Sequence, residues 1–356
     1  MIQTILSITT SRSWPIHQLN VKNEFLHRHL METATRVWYQ QFASFLRQLG
    51  FIASTFDTYK EGPSIAYLLL YVDDIVLITS SLTLLQHIMG HLHSEFAMMD
   101  LGDLHHFLGI FIIHSTQGLF LSQRQSALDL LKRAGMAECH SIATPVDTHA
   151  KLSVCLFMHD LCEPRMALIK RILCYVKGTL SSGLHIIIGP VQSLTAYSDA
   201  NWACCPNSRR SISSFSIYLS DNLLSWSSKC QSTVSHSNAE VEYRAVAPAA
   251  AYYCWLRQLH QELHVPLASA TVVYYDNVSA VYMTTNPVHH WCTKHIEIDI
   301  HFAREKVALG EVWVLHVPSS HQFADIMMKG LPTPLFTEFR SNMCVCDPPT
   351  WTAGKY

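Results

Sequence analysis

The sequence predicts a mixed α/β chain, with a mixed five-stranded sheet and flanking helices over residues 190–346, preceded by an α+β unit over 1–150. Three observations carry this expectation. The C-terminal half reads as strand, strand, strand, helix, strand, helix, helix, strand, helix, so a meander is followed by alternating elements. The N-terminal half holds an apolar hairpin with two aspartates at its centre. The 356 residues are 49% hydrophobic and 15% charged, which suits a globular, rather apolar chain with room for two domains. A shortened connection over 151–189 separates the units, and 347–356 has no pattern and reads as a tail.

The elements follow in order. A helix over 36–49 places Trp38, Phe42, Phe45 and Leu46 on one face, with Gly50 just past its end. The hairpin covers 66–79. Helices are expected over 82–95 and 123–134, with strands 107–113 and 119–122 turning at Thr116-Gln117-Gly118. Thr144-Pro145 breaks the pattern, because the residue before proline is driven to extended backbone. After a helix over 166–178 come strands 194–201, 212–219, 224–229, 271–276 and 312–317, and helices 238–263, 278–283, 296–309 and 322–329. Pro248 falls inside the longest helix, where it is expected to kink the chain at a cost of about 3 kcal/mol.

Composition excludes several classes. Lys plus Arg is 25 against Asp plus Glu 27, so no basic excess advertises nucleic acid. Eleven cysteines occur without a CxxC pair, which argues against a structural zinc site and for reduced thiols in an intracellular protein, cytoplasmic or nuclear. The first ten residues lack the basic region and cleavage site of a signal peptide. The longest apolar run, 65–78, is split by Asp73 and Asp74, each costing about 2.5–3.5 kcal/mol at a bilayer centre, so no membrane span is expected. Nothing in the pattern specifies an oligomeric state.

Four acids stand where chemistry is expected: Asp199 in the first strand of the C-terminal unit, Glu242 in the first turns of the long helix, Asp276 at the end of the fourth strand, and Asp325 at the start of the last helix. Ends of central strands and the helices beside them converge in an α/β sheet. Carboxylates gathered there suit two hard cations about 3.5–4 Å apart, one activating water and one stabilising a leaving oxygen. Acids near strand ends are also common solvated groups, and spacing alone does not separate the two readings.

The surrounding residues do. Ala196-Tyr197-Ser198-Asp199-Ala200-Asn201-Trp202, Trp226-Ser227-Ser228-Lys229, Ala239-Glu240-Val241-Glu242-Tyr243-Arg244-Ala245, Tyr275-Asp276-Asn277, Thr293-Lys294-His295-Ile296 and Ala324-Asp325-Ile326 follow one another as in one family. They resemble the ribonuclease H domain of Ty1/copia-type retrotransposon Pol polyproteins. Upstream, Tyr71-Val72-Asp73-Asp74, Phe107-Leu108-Gly109 and Leu121-Ser122-Gln123 resemble the reverse transcriptase palm of the same polyproteins. The resemblance implies a ribonuclease H-like fold after a palm, metal binding by Asp199, Glu242, Asp276 and Asp325 with two Mg²⁺ (Mn²⁺ as substitute), and metal binding by Asp73 and Asp74. It also implies an RNA–DNA hybrid as partner, with Arg209, Arg210, Lys294 and Lys329 as phosphate contacts. Glu242 is preferred to Glu240 because it immediately precedes Tyr-Arg-Ala, as in the family.

The chain departs from that pattern. Position 20 is Asn where the family has its first polymerase aspartate, and an amide oxygen is a poorer Mg²⁺ ligand than a carboxylate. Only seven residues separate Leu30 from Trp38, where the family has a long stretch, a second gap falls at 151–157, and the family's fingers have no counterpart before Met1. DNA synthesis is therefore not expected. Cys230, His236, Trp291, Cys292 and Trp313 stand where the family carries Arg; each is one transition from a CpG-containing Arg codon, which suggests a silenced, drifting copy. Residues 190–346 hold ten Lys or Arg and twelve Asp or Glu, a net charge of −2, so weak hybrid affinity is expected. The alternative to a nuclease is a non-catalytic relic, poorly folded or only a weak nucleic-acid binder.

Overall fold

The computed structural model describes residues 2–21, 31–52, 57–148, 163–205, 208–235, 237–285 and 297–348. Lys294, His236, Trp291 and Cys292, the connection gap at 151–157 and the tail beyond 348 lie outside the described residues. The N-terminal part runs α1 (Ile2–Arg12), β1 (Ile16–Val21), α2 (Met31–Gln48), β2 (Phe51–Ile52), β3 (Asp57–Glu61), β4 (Ser64–Tyr71), β5 (Asp74–Thr79), α3 (Leu82–Glu95) and β6 (Met98–Asp103). Next come β7 (His106–Phe107), β8 (Ile110–Ser115), β9 (Gly118–Ser122), α4 (Arg124–Arg133), α5 (Glu163–Gly178) and β10 (Gly183–Ile187). The C-terminal part holds β11 (Leu194–Asn201), β12 (Ile212–Leu219), β13 (Asn222–Cys230), α6 (Asn238–Glu262), β14 (Thr271–Tyr275), α7 (Val278–Thr285), α8 (Glu297–Ala308) and β15 (Val312–His316). Two 3₁₀ turns, Ser319–His321 and Phe323–Met327, lead to α9 (Thr333–Asn342) and β16 (Val345–Cys346).

Among the described residues three sheets form. The first has strand order β2-β3-β4-β5-β1-β6. Its alternating side chains serve two cores, as the two-residue period of a strand requires. Ile75 and Leu77 join Phe42 and Leu46 of α2 and Leu85, Ile88 and Leu92 of α3, whereas Val76 and Ile78 face the opposite side. The second sheet, β16-β10-β9-β8-β7, ties the chain's late residues to its middle. Gly118, at φ +142°, permits this pairing, because a Cβ there would collide with the carbonyl of Ile186.

The third sheet has order β13-β12-β11-β14-β15, antiparallel through the first three strands and parallel from β11 to β14 to β15. This is the expected mixed five-stranded sheet, with α6 against β11 and β12 and α8 against α6. The N-terminal and C-terminal parts share one apolar core. Ile5, Leu6 and Ile8 of α1 and Tyr67 and Ile78 of the first sheet belong to the same cluster as Leu194, Ile217, Tyr253, Leu256 and Leu259. The Tyr67 hydroxyl donates to the carbonyl of Leu263, just past α6, at 2.6 Å.

Several expected elements differ. The strand expected over 107–113 is interrupted where Leu108 and Gly109 both take positive φ, leaving β7 and β8 as separate pieces. Of the helix expected over 322–329 only the 3₁₀ turn Phe323–Met327 forms, and the last α-helix is α9, which the sequence pattern does not announce. The strand carrying Asp276 stops at Tyr275, so the acid lies one residue past it.

Pro248 does not interrupt α6, which continues from Asn238 to Glu262. Proline at this exposed position offers no N–H to the carbonyl of Arg244 one turn earlier. The neighbouring carbonyl of Ala245 accepts from the Ser198 hydroxyl at 3.3 Å. Pro248→Ala is expected to stabilise the chain by up to about 3 kcal/mol, the helix-interior difference between the two residues. Urea unfolding would show this as a higher midpoint at unchanged slope.

Candidate metal centre

The third sheet brings three acids to one place. Asp199 lies near the end of β11, the central strand, and is 2% exposed. β14 runs parallel to β11 with Tyr274 opposite Tyr197, so two residues further on Asp276 comes level with Asp199. Glu242 enters from the start of α6. That helix is capped by Ser237, whose side chain accepts from the Glu240 N–H, and it approaches β11 through Ala200, Val241 and Ala245. Small residues at that contact let the helix come close enough for Glu242, itself 6% exposed, to reach the strand acids.

One oxygen from each of Asp199, Glu242 and Asp276 lies within 4.8 Å of the others. Ser319 donates to Asp276 Oδ2 at 2.9 Å, and His316 Nε2 lies 3.2 Å from the Asp276 carbonyl. Glu242 Oε2 is buried with no partner, and Asn277 Oδ1 accepts from the Ser279 N–H at the start of α7. Glu240 turns away and pairs with Arg244 at 2.9 Å.

Asp325 adjoins Asp199 from the 3₁₀ turn Phe323–Met327. That turn is fixed beneath the sheet by Ser214 donating to the Ala324 carbonyl (2.9 Å) and by the Gln322 amide donating to the Ser198 carbonyl (3.1 Å). Lys329 bridges the two acids, its Nζ 2.8 Å from Asp199 Oδ2 and 2.7 Å from Asp325 Oδ1. Sequence reading had assigned Lys329 to phosphate; its spacing of four from Asp325 was the available signal for an ion pair instead. Ser319 was not foreseen as a partner of the acids.

The electrostatics match the crowding. Burial, and then the neighbouring Asp199 and Asp276, push the Glu242 carboxyl up to about 9. Burial and the Asp325 contact raise Asp199 to about 7, against the opposing pull of Lys329. Asp276 is raised by burial and by Asp199. Hard divalent cations take oxygen ligands, Mg²⁺ at about 2.0–2.1 Å, and a carboxylate trio with an orphaned buried oxygen is a donor set they fit.

The other expected ligands, Asp73 and Asp74, sit in the first sheet at the β4–β5 turn, outside this trio. Val72 takes φ +57°, a strained conformation for a β-branched residue. The backbone N–H of Val21 donates to the Asp73 carbonyl at 2.9 Å. Asn20 stands opposite Asp74, and its amide donates to Asp74 Oδ1 at 3.0 Å, so the position that would offer a second carboxylate offers a proton donor. Arg209 and Arg210 are exposed beside β12, Arg209 at φ +54°. Among the described residues no helix is long and apolar enough to cross a membrane.

Residues 29–148 match the family model described as reverse transcriptase (RNA-dependent DNA polymerase). The chain is 34% identical to the retrovirus-related Pol polyprotein from transposon RE1 of Arabidopsis thaliana, over 98% of its own length and 28% of that protein. It is 27% identical to the corresponding polyprotein from transposon TNT 1-94 of Nicotiana tabacum, over 93% of its own length and 31% of that protein. It thus spans less than a third of these curated relatives. The RE1 alignment occupies 418 positions, at least 62 more than this chain has residues, so that stretch of the relative is longer. Among solved structures, a foamy viral protease-reverse transcriptase in complex with RNA/DNA hybrid aligns over 93% of this chain and 47% of its own, at 12% identity and a TM-score of 0.44.

Proposed function

The chain belongs to the copia-type retrotransposon Pol polyproteins, covering part of their reverse transcriptase and ribonuclease H region, and from this premise we propose that it cleaves the RNA strand of RNA–DNA hybrids with Mg²⁺. One observation carries the reading: Asp199, Glu242 and Asp276 converge within 4.8 Å while a buried oxygen of Glu242 lacks any partner. These three residues hold the metal, with Asp325 behind Asp199. A divalent cation bound there would activate a water and stabilise the leaving oxygen, giving 3′-hydroxyl and 5′-phosphate ends.

The protein's own groups prepare that site. Ser319 orients Asp276, so that carboxylate needs little rearrangement when charge arrives. Lys329 offsets part of the charge of Asp199 and Asp325. Arg209, Arg210 and Lys294 are the proposed backbone contacts, and discrimination of RNA from DNA rests on 2′-hydroxyl contacts across the shallow minor groove. We divide the chain into palm (1–150), connection (151–189), nuclease (190–346) and tail (347–356). Incubating the full chain with a hybrid labelled on the RNA strand tests the proposal: Mg²⁺ should shorten the RNA and leave the DNA strand whole. RNA left intact with both Mg²⁺ and Mn²⁺ would favour the non-catalytic relic.

The palm is proposed to make no DNA. The Asn20–Asp74 hydrogen bond holds the hairpin without a metal, and primer extension by the chain should be absent. Asn20→Asp, made in an Asp199→Asn background to silence the nuclease site, is expected to create a Mg²⁺-dependent rise in thermal midpoint. At a hundredfold excess of ion over Kd the gain is about 2.7 kcal/mol. The Asp199→Asn protein alone should show no such rise.

A further inference from the structure

We propose that Lys329 is a built-in cation of the carboxylate cluster, its ammonium standing between Asp199 and Asp325 so that the site accepts one divalent ion instead of two. The inference rests on the nuclease reading above and sharpens it. The cluster has two unlike sides. On one, oxygens of Asp199, Glu242 and Asp276 gather within 4.8 Å, and Glu242 Oε2 is buried without a partner. On the other, Asp199 Oδ2 and Asp325 Oδ1 already share the Lys329 ammonium at 2.8 and 2.7 Å. Asp325 is not a member of the trio.

Charge counting points the same way. Four carboxylates carry −4; Lys329 brings this to −3 and one divalent ion to −1. A second ion would leave the pocket positive and would stand beside the ammonium, because paired ions in such centres lie about 3.5–4 Å apart. It would have to expel the lysine first. The lysine is held against expulsion by its place four residues after Asp325, with its backbone N–H donating to the Asp325 carbonyl at 2.9 Å. Arginine would keep the charge; a neutral side chain would free both oxygens.

The test counts ions. In the full chain carrying Asp73→Asn and Asp74→Asn, which removes the palm acids, bound Mn²⁺ is titrated by the paramagnetic resonance signal of the free ion. One ion is expected for this parent, two for the same chain with Lys329→Met, and one with Lys329→Arg. Two ions in the parent, or one in both the parent and a folded Lys329→Met protein, would overturn the proposal while leaving the nuclease reading intact. Should Lys329→Met fail to fold by circular dichroism, the parent decides, one ion supporting and two overturning. Loss of the parent's ion on adding Asp199→Asn locates it in this cluster. No binding at all, or binding indifferent to Asp199→Asn, would remove the nuclease reading and this inference with it.

Discussion

Asp199→Asn is expected to abolish Mg²⁺-dependent cleavage of a labelled hybrid by the full chain. Asp199 touches every part of the cluster: it belongs to the trio with Glu242 and Asp276, adjoins Asp325 and pairs with Lys329. The amide is nearly the same size, so the strand and its neighbours should keep their places while the central negative charge disappears. The loss should exceed the roughly 10–100-fold that partners outside a metal's ligand set are worth. Circular dichroism of the variant should be unchanged, and addition of Mg²⁺ should no longer raise its thermal midpoint. Equal cleavage by both proteins would sink the assignment; equal absence of cleavage, with a metal-induced shift in the parent alone, would describe a binding site that has outlived its chemistry.

The second large effect is on stability against pH. Without metal, Asp199 titrates near 7 in the folded chain against an ordinary 3.8, and Glu242 near 9 against 4.5. Between roughly pH 4 and pH 9 the folded chain therefore holds more protons than the unfolded one, and its stability falls as pH rises. The penalty is absent below the unfolded values and complete above the folded ones. At about 1.4 kcal/mol per unit of displacement, the decline amounts to several kcal/mol. Divalent cations favour the ionised carboxylates, so saturating Mg²⁺ should flatten the profile and protect most strongly near pH 9. Urea midpoints at pH 5 and pH 9, with and without MgCl₂, measure both effects. Glu242→Gln should remove most of the metal-free slope; a slope unchanged in that variant would show that the decline arises elsewhere.

Sequence exposed the strands of the third sheet well: 194–201 and 212–219 coincide with β11, which alternates in its first half, and β12, whose last six residues are all buried. The acids were legible for a different reason, the family resemblance of the residues around them, since spacing alone does not separate them from solvated surface acids. What sequence could not show depends on contacts between distant segments. α1 is buried from Thr4 to Thr9 with its polar residues included, so a pattern of exposed polar and buried apolar positions does not announce it. The short strands β2, β7 and β16 are only two residues long and exist through their partners. Lys329 looked like a free surface cation because its two partners come from a nearby turn and a strand 130 residues earlier. Pro248 looked worse than it is: propensity counts the missing N–H but not the packing of Ala249 and Ala250, both fully buried, which holds the helix on its course.

The Tyr67 bond to Leu263 and the packing of α1 on β13 bear on how the chain can be inherited and handled. Because Ile5, Leu6 and Ile8 are buried in the same cluster as Leu194, Tyr253 and Leu256, the C-terminal half is no detachable module; excision would bare part of this shared core. Melting should proceed in one cooperative step, and a lesion near the start of the chain would deplete the assembled acid cluster without touching it. The N-terminal half thus serves the acid cluster as scaffolding whatever its own chemistry.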